Sequence, residues 1–199
     1  MKTRFMKTNL LYTLLFLGFA PLLLADTYEI DPVHSRVGFK IRHLVISNVL
    51  GSFGDFEGTI EYNPKAVEKS STKAEIKVAS ITTANGKRDD HLRGDDFFSA
   101  QKFPAMKFVS KKVTSKNADS FDVVGDLTIR DITKPVTLAV TYGGSVNFAG
   151  DEKAGFLATT TINRKDFGLI WNKVLEAGGV AVGETVQIEI ELEATKKKV

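Results

Sequence analysis

Three histidines, His34, His43 and His91, are the side chains of this sequence best suited to moving protons or holding a metal. None stands in an HxH or HExxH spacing, so a zinc site would need the fold to gather them, and no metal is expected. Around His91 run Asp89, Asp90, Asp95 and Asp96, and together these groups could act as a general acid and base. The competing reading is a solvated helix neutralised from within by Arg88 and Arg93, with Asp89 and Arg93 paired at i,i+4. There is no cysteine, which excludes thiolate nucleophiles, disulfides and cysteine metal ligands. There is also no nucleophile elbow. Asp166-Phe167-Gly168 spells the metal-binding triplet of protein kinases, but the glycine-rich loop, strand lysine and HRD motif that give it meaning are missing. Here Arg164 and Asp166 are expected to pair at an opening of the fold, with Phe167 and Trp171 lining an interior.

The elements that position these groups are strands. In 28–62, Val37, Phe39 and Ile41 alternate with Arg36, Lys40 and Arg42, and the apolar line ends on His43. Successive strand side chains point to opposite faces. The inner face is therefore a hydrophobic stripe that finishes in a titratable group. Two readings of His43 stand: a hydrogen-bonded core histidine, or a contact for the polar head of a ligand whose tail runs along the stripe. Segment 28–62 reads as two strands. Six more follow near 72–82, 105–115, 120–130, 135–142, 154–164 and 184–194, with turns at Asn63-Pro64, Lys116-Asn117, Gly143-Gly144, Gly150-Asp151 and Gly178-Gly179. Eight strands with one solvated face each imply antiparallel sheet, closed as a barrel or folded as a sandwich. The exception is 85–100, where Asn85 can cap a short helix running to Arg93 before Gly94. Phe97 and Phe98 would be the aromatic foot of this lid.

The first 25 residues read as a secretory signal peptide: Lys2, Arg4 and Lys7, an apolar run from Leu10 to Leu24, and Ala25 at a cleavage site. The run is too short for the ~20 residues of a spanning helix. Residues 26–199 form a single domain, expected to have no integral membrane segment. Of 27 basic and 24 acidic residues, the leader takes three basic ones, so the remainder is balanced and gives no warrant for nucleic acid as a partner. An uncrosslinked chain of this length can bury a core of its own. Three of the fourteen phenylalanines are in the leader. The rest either fill a packed core or line a lumen, since eight strands is the barrel size at which both occur.

In order along the chain come Asp31-Pro32…His34-Ser35…Phe39…His43, Gly51-Ser52-Phe53…Phe56-Glu57-Gly58 and Ser80-Ile81-Thr82-Thr83. Arg88-Asp89…His91-Leu92-Arg93…Asp96-Phe97-Phe98, Phe103-Pro104…Phe108, Gly125-Asp126-Leu127-Thr128-Ile129 and Arg164…Asp166-Phe167-Gly168 follow. With these motifs the chain resembles the YceI family of exported, lipocalin-like lipid-binding proteins. It departs from the pattern at Gly94, where a serine is expected.

The resemblance implies an all-β, eight-stranded antiparallel lipocalin-like barrel with the short helix near 86–94 at one end. It implies a periplasmic, non-enzymatic carrier, often a homodimer and without cofactor, of a polyisoprenoid or fatty-acid-like lipid. The tail would contact Val37, Phe39, Ile41, Phe53, Phe56 and Ile60, then Ile76, Phe97, Phe98 and Phe108. Leu127, Ile129, Leu138, Phe156, Ile162, Phe167 and Trp171 complete that wall. The head would meet His43, Arg88, Asp89, His91, Arg164 and Asp166, while Asp31 and His34 pin the first strand. Each sequestered CH2 is worth ~0.8 kcal/mol, so about ten approach micromolar affinity before binding costs. The alternative is a hydrolase or isomerase acting on such a lipid through His91 or His43 with Asp89. A third reading is a dimeric interaction module whose ligand is incidental.

Overall fold

Residues 25–176 and 178–198 are described in the computed structural model; all but the last residue of the expected signal peptide lies outside them. Among the described residues eleven strands build the domain: β1 (Asp26–Ile30), β2 (Arg36–His43), β3 (Ser47–Phe53), β4 (Phe56–Tyr62), β5 (Ser71–Lys77), β6 (Ile81–Thr82), β7 (Ala105–Ser115), β8 (Ser120–Ile129), β9 (Ile132–Phe148), β10 (Asp151–Asn163) and β11 (Val182–Lys196). Every pairing is antiparallel, and β1 returns to β11 to close the ring.

These strands make eight staves, as expected, because three staves are broken in two. β2 pairs with the first part of β11 and β1 with its end, so both lie along one edge. β3 and β4 continue the neighbouring stave, and β5 and β6 the next. Each break has a local cause. Asp31 Oδ1 accepts from the Val33 amide at 3.0 Å in a turn around Pro32, which has no N–H to give a ladder. Gly54-Asp55 separates β3 from β4, and a 3-10 turn at Val78–Ser80 separates β5 from β6.

β7 and β8 begin and end within a residue of the periodic segments. β9 does not: it runs past Gly143-Gly144, where a turn is expected, to Phe148. The glycines are absorbed in the ladder, with Gly144 at φ +100° and the register slipping between Gly155 and Phe156. Such a bulge bends the strand without ending it.

Helix α1 (Gly86–Arg93) fills the connection from β6 to β7 and is capped as expected, the Asn85 side chain accepting from the Arg88 amide at 3.0 Å. Gly94 ends it in an extended conformation (φ −75°, ψ 178°), so a left-handed residue is not what stops it. Arg93 pairs with Asp90 at 2.8 Å and not with the expected Asp89.

Inward residues form two apolar clusters. One gathers Tyr62, Phe121, Tyr142 and Phe156, with ring centroids 4.9–6.3 Å apart, toward the end holding the β8 start and the β9–β10 turn. The other gathers Phe53, Ile81, Phe97 and Phe167 at the end covered by α1. Gly51 sits where the Phe39 ring crosses β3, and a Cβ there would lie 2.2 Å from it.

Candidate functional site

Between the two clusters the barrel holds a cavity of about 590 Å³. Its walls are the inward stripes of β1–β5 and β7–β11, of which the last contributes Val186, Ile188, Ile190 and Leu192. Of the residues expected along a tail, Val37, Phe39, Ile41, Phe53, Phe56, Ile60, Ile76, Phe97, Phe98, Phe108, Leu127, Ile129, Leu138, Phe156, Ile162 and Trp171 line it. Phe167 does not. It is 1% exposed and packs behind the wall in the α1-end cluster.

The polar groups gather where α1, the β2–β3 turn and the 164–182 segment meet, which we call the mouth. His43, Arg88, His91 and Arg164 reach the cavity, together with Arg42, Lys87, Thr83 and Asn85. Among the described residues no aspartate or glutamate lines the cavity, and their formal charges on the wall are positive. Asp89 and Asp166, expected at a ligand head, are not there.

Asp89 is bolted to the chain before α1. Its Oδ1 accepts from the Thr83 amide at 2.8 Å and the Thr83 hydroxyl at 2.5 Å, and its Oδ2 from the Thr82 hydroxyl at 3.3 Å. Burial pushes this carboxyl up, but the Thr83 and Thr82 donors outweigh it and hold it below its ordinary value. Thr83 also accepts from Arg88 Nε at 2.7 Å, and its carbonyl from the other arm of that guanidinium at 2.9 Å. Asp89 thereby orients Arg88 through a hydroxyl while staying out of the cavity.

Arg164, in the 3-10 turn Arg164–Phe167, is 3% exposed. Nε donates to the Gly183 carbonyl at 2.8 Å, and the terminal nitrogens to the Leu169 and Val182 carbonyls. Burial lowers its proton affinity and Glu184 opposes this. Asp166 is solvent-exposed and does not pair with it. Two residues apart in a 3-10 turn, the two side chains leave on different sides. Arg164 thus staples both ends of the mouth segment and carries a buried positive charge.

Asp96 Oδ2 accepts from the His91 ring at 2.7 Å, and that ring stands edge-on to Phe97 and Trp171 at 5.0 Å each. The enzyme reading pairs His91 with Asp89; the fold gives these two residues separate partners. His34 lies on the outer wall with Asp31 at 2.9 Å and Glu193 at 3.9 Å, three donors close enough for a metal. The ammonium of Lys153 already sits between the carboxylates, 2.8 Å from Glu193 and 3.4 Å from Asp31. Its chemistry is that of an ion-pair clasp across the β1–β2 break.

Arg42 and Lys87 were not expected at the site. Arg42 occupies an outward position by alternation, and only the curl of β2 into its turn brings it to the mouth, where Nε donates to the Val45 carbonyl at 3.0 Å. Nothing in the period of the sequence signals this.

A closed antiparallel barrel with an apolar lumen and a polar mouth is the architecture of the lipocalin-like class. Residues 28–194 match the YceI-like domain, and the chain belongs to the YceI family. A UPF0312 protein of Pseudomonas putida strain W619 is 37% identical over 178 residues, covering 88% of this chain and 89% of its own. The Campylobacter jejuni YCEI protein has the same fold at TM-score 0.69 and 37% identity, over 84% of this chain and 96% of its own. A polyisoprenoid binding domain from Saccharophagus degradans shares the fold alone, at TM-score 0.62 and 16% identity, over 87% of this chain and 99% of its own.

Proposed function

We propose that the protein binds a single long-chain apolar lipid, a polyisoprenoid or a fatty-acid-like chain, inside the barrel and carries it unaltered. The observation that carries this is the 590 Å³ lumen, apolar along its length and bearing only cationic and neutral polar groups at one end. The tail supplies affinity, at ~0.8 kcal/mol per buried CH2. The mouth fixes an anionic or strongly polar head by Arg88, His43 and His91, with Arg42 and Lys87 beside them. The polyisoprenoid-binding neighbour from Saccharophagus degradans supports the choice of ligand. A periplasmic location rests on the leader-like first 25 residues, and a homodimer on the family resemblance.

The test is native mass spectrometry of the purified protein followed by organic extraction. A co-purifying lipid of defined mass, returned chemically intact, is the expected result. Protein that neither carries lipid nor takes up palmitate or geranylgeraniol overturns the proposal. The His91–Asp96 pair at 2.7 Å favours one second reading, acid–base chemistry on a bound lipid. Release of an altered lipid, abolished by His91→Gln, would establish it.

A further inference from the structure

The β2–β3 hairpin turns through Leu44 and Val45 at φ +51° and +64°, with the Ile46 amide donating to the His43 carbonyl at 3.2 Å. Two left-handed residues in a hairpin turn are the usual place for Asn-Gly, and a β-branched residue is strained there. Leu-Val-Ile occupies it instead, and the side chains point into water: Val45, Ile46, and Ile170 and Val174 of the neighbouring segment are 57–79% exposed. The two segments are joined, because the Leu44 amide donates to the Ala181 carbonyl and the Ala181 amide to the Lys173 carbonyl. Cost without burial marks a surface kept for something else.

The two segments themselves carry more cations than carboxylates, although on β11, beside β2, Glu191 stands opposite Arg36. Residues 36–54 contain Arg36, Lys40, Arg42 and no carboxylate, and 167–175 contain Lys173 and none, with Asp166 and Glu176 flanking. Among the described residues none of these four cations has an ion-pair partner. We propose that this apolar, cation-collared rim docks the mouth of the barrel onto an anionic lipid bilayer. Leu44, Val45, Ile46 and Val174 enter the interface, while Lys40, Arg42 and Lys173 meet the head groups. Aliphatic tips under unpaired cations are the signature of interfacial insertion, and a charge-balanced protein partner would leave those cations unanswered. The inference rests on the carrier reading, which needs a lipid to pass between membrane and lumen without crossing water.

The experiment is co-sedimentation of the purified protein with phosphatidylcholine vesicles, with and without phosphatidylglycerol, at low and high salt. Binding that requires phosphatidylglycerol and weakens with salt is expected. It should fall about tenfold or more in Leu44→Asn/Val45→Gly/Ile46→Ser. That variant suits the turn better than the native residues, so its melting temperature should hold or rise while docking is lost. Lys40→Gln/Lys173→Gln gives an independent reading and should lose most of the phosphatidylglycerol dependence. Failure of the wild type to sediment, or equal binding by the triple variant, overturns the inference. So does a wild-type dimer that the variant splits with no vesicle binding by either, since the tip then belongs to a second copy. Palmitate retention, measured without vesicles, separates the two proposals. Retention without docking sinks the rim alone, and docking without retention sinks the carrier reading alone.

Discussion

Thr160→Phe tests the lumen most directly. Thr160 lies on the inward stripe of β10 between Ala158 and Ile162, opposite Ile188, which in turn stands opposite Phe39. All of these side chains line the cavity, so an added phenyl ring projects into space a lipid chain would use. If the ring displaces roughly four methylenes at ~0.8 kcal/mol each, the loss is about 3 kcal/mol, on the order of 200-fold in affinity. The protein supplies its own reporter, because the single tryptophan, Trp171, is at the mouth. Delipidated wild type, Thr160→Phe and the near-isosteric control Thr160→Val would be titrated with palmitate and with geranylgeraniol, following Trp171 emission. The phenylalanine variant should show the loss, more steeply for the longer chain, and the valine variant should bind as wild type. Urea unfolding of the lipid-free proteins completes the test, since a ring entering empty space leaves stability unchanged or slightly raised. A packed interior would instead lose about 1–3 kcal/mol to overpacking. Unchanged affinity in Thr160→Phe, or that stability loss, refutes the reasoning that the cavity is the binding site.

Arg164→Met removes the guanidinium donor from the Gly183 and buried Leu169 carbonyls, Val182 keeping the Asn172 amide at 2.7 Å, and should lower unfolding free energy by about 3–5 kcal/mol, read from the urea midpoint, with Arg164→Lys failing to rescue because an ammonium cannot fork. Gly125→Ala places a Cβ 2.4 Å from the Phe108 ring and 2.7 Å from the Val109 carbonyl, where backbone cannot yield, and should cost about 1–3 kcal/mol in the same assay. The hydrogen bond from His34 holds the Asp31 carboxyl down from 3.8 to about 2. The stability this depressed carboxyl contributes is complete above pH 3.8 and lost as pH falls through 2. In His34→Ala the Asp31 titration, followed by carboxyl carbon NMR, should move up toward 3.8, and the acid-dependent loss should become smaller and be complete at a higher pH. His91→Gln should leave bound lipid chemically identical and stability within about 1 kcal/mol, as for other partly exposed ion pairs; a change in the extracted lipid would refute the carrier reading.

The barrel was legible because its strands obey one rule. Each stripe from Val37-Phe39-Ile41 to Val186-Ile188-Ile190 must face a common interior, and alternation records that directly. The breaks were less visible. Pro32 and Gly54 mark two of them, but nothing in Val78-Ala79-Ser80 distinguishes a 3-10 turn from the strand around it. Gly143-Gly144 misled because paired glycines serve turns and bulges alike, and only the partner residue Gly155 decides between them. The site split along the same line. Apolar members on the strands were readable from period, whereas Asp89 and Asp166 were placed at the head only by what the family resemblance implied. Where a short polar side chain turns depends on nearby hydroxyls and amides, and Thr82 and Thr83 capture Asp89 through contacts that period does not encode. Arg42 shows the converse, an outward residue that a bend in the backbone delivers to the mouth.

The ring is completed by the first and last strands, with Tyr28 opposite Lys196 and Ile30 opposite Ala194. No partial chain has a lumen. Until β11 is in place, β10, β1 and β2 each expose an unpaired edge, and loop-closure entropy makes that final pairing a late step in folding. On the proposed carrier function, a lipid would be held only by the finished barrel, and by mass action its binding would draw the last strand home. Cargo and carrier would then be completed together, the bound molecule acting as the latch on the fold that encloses it.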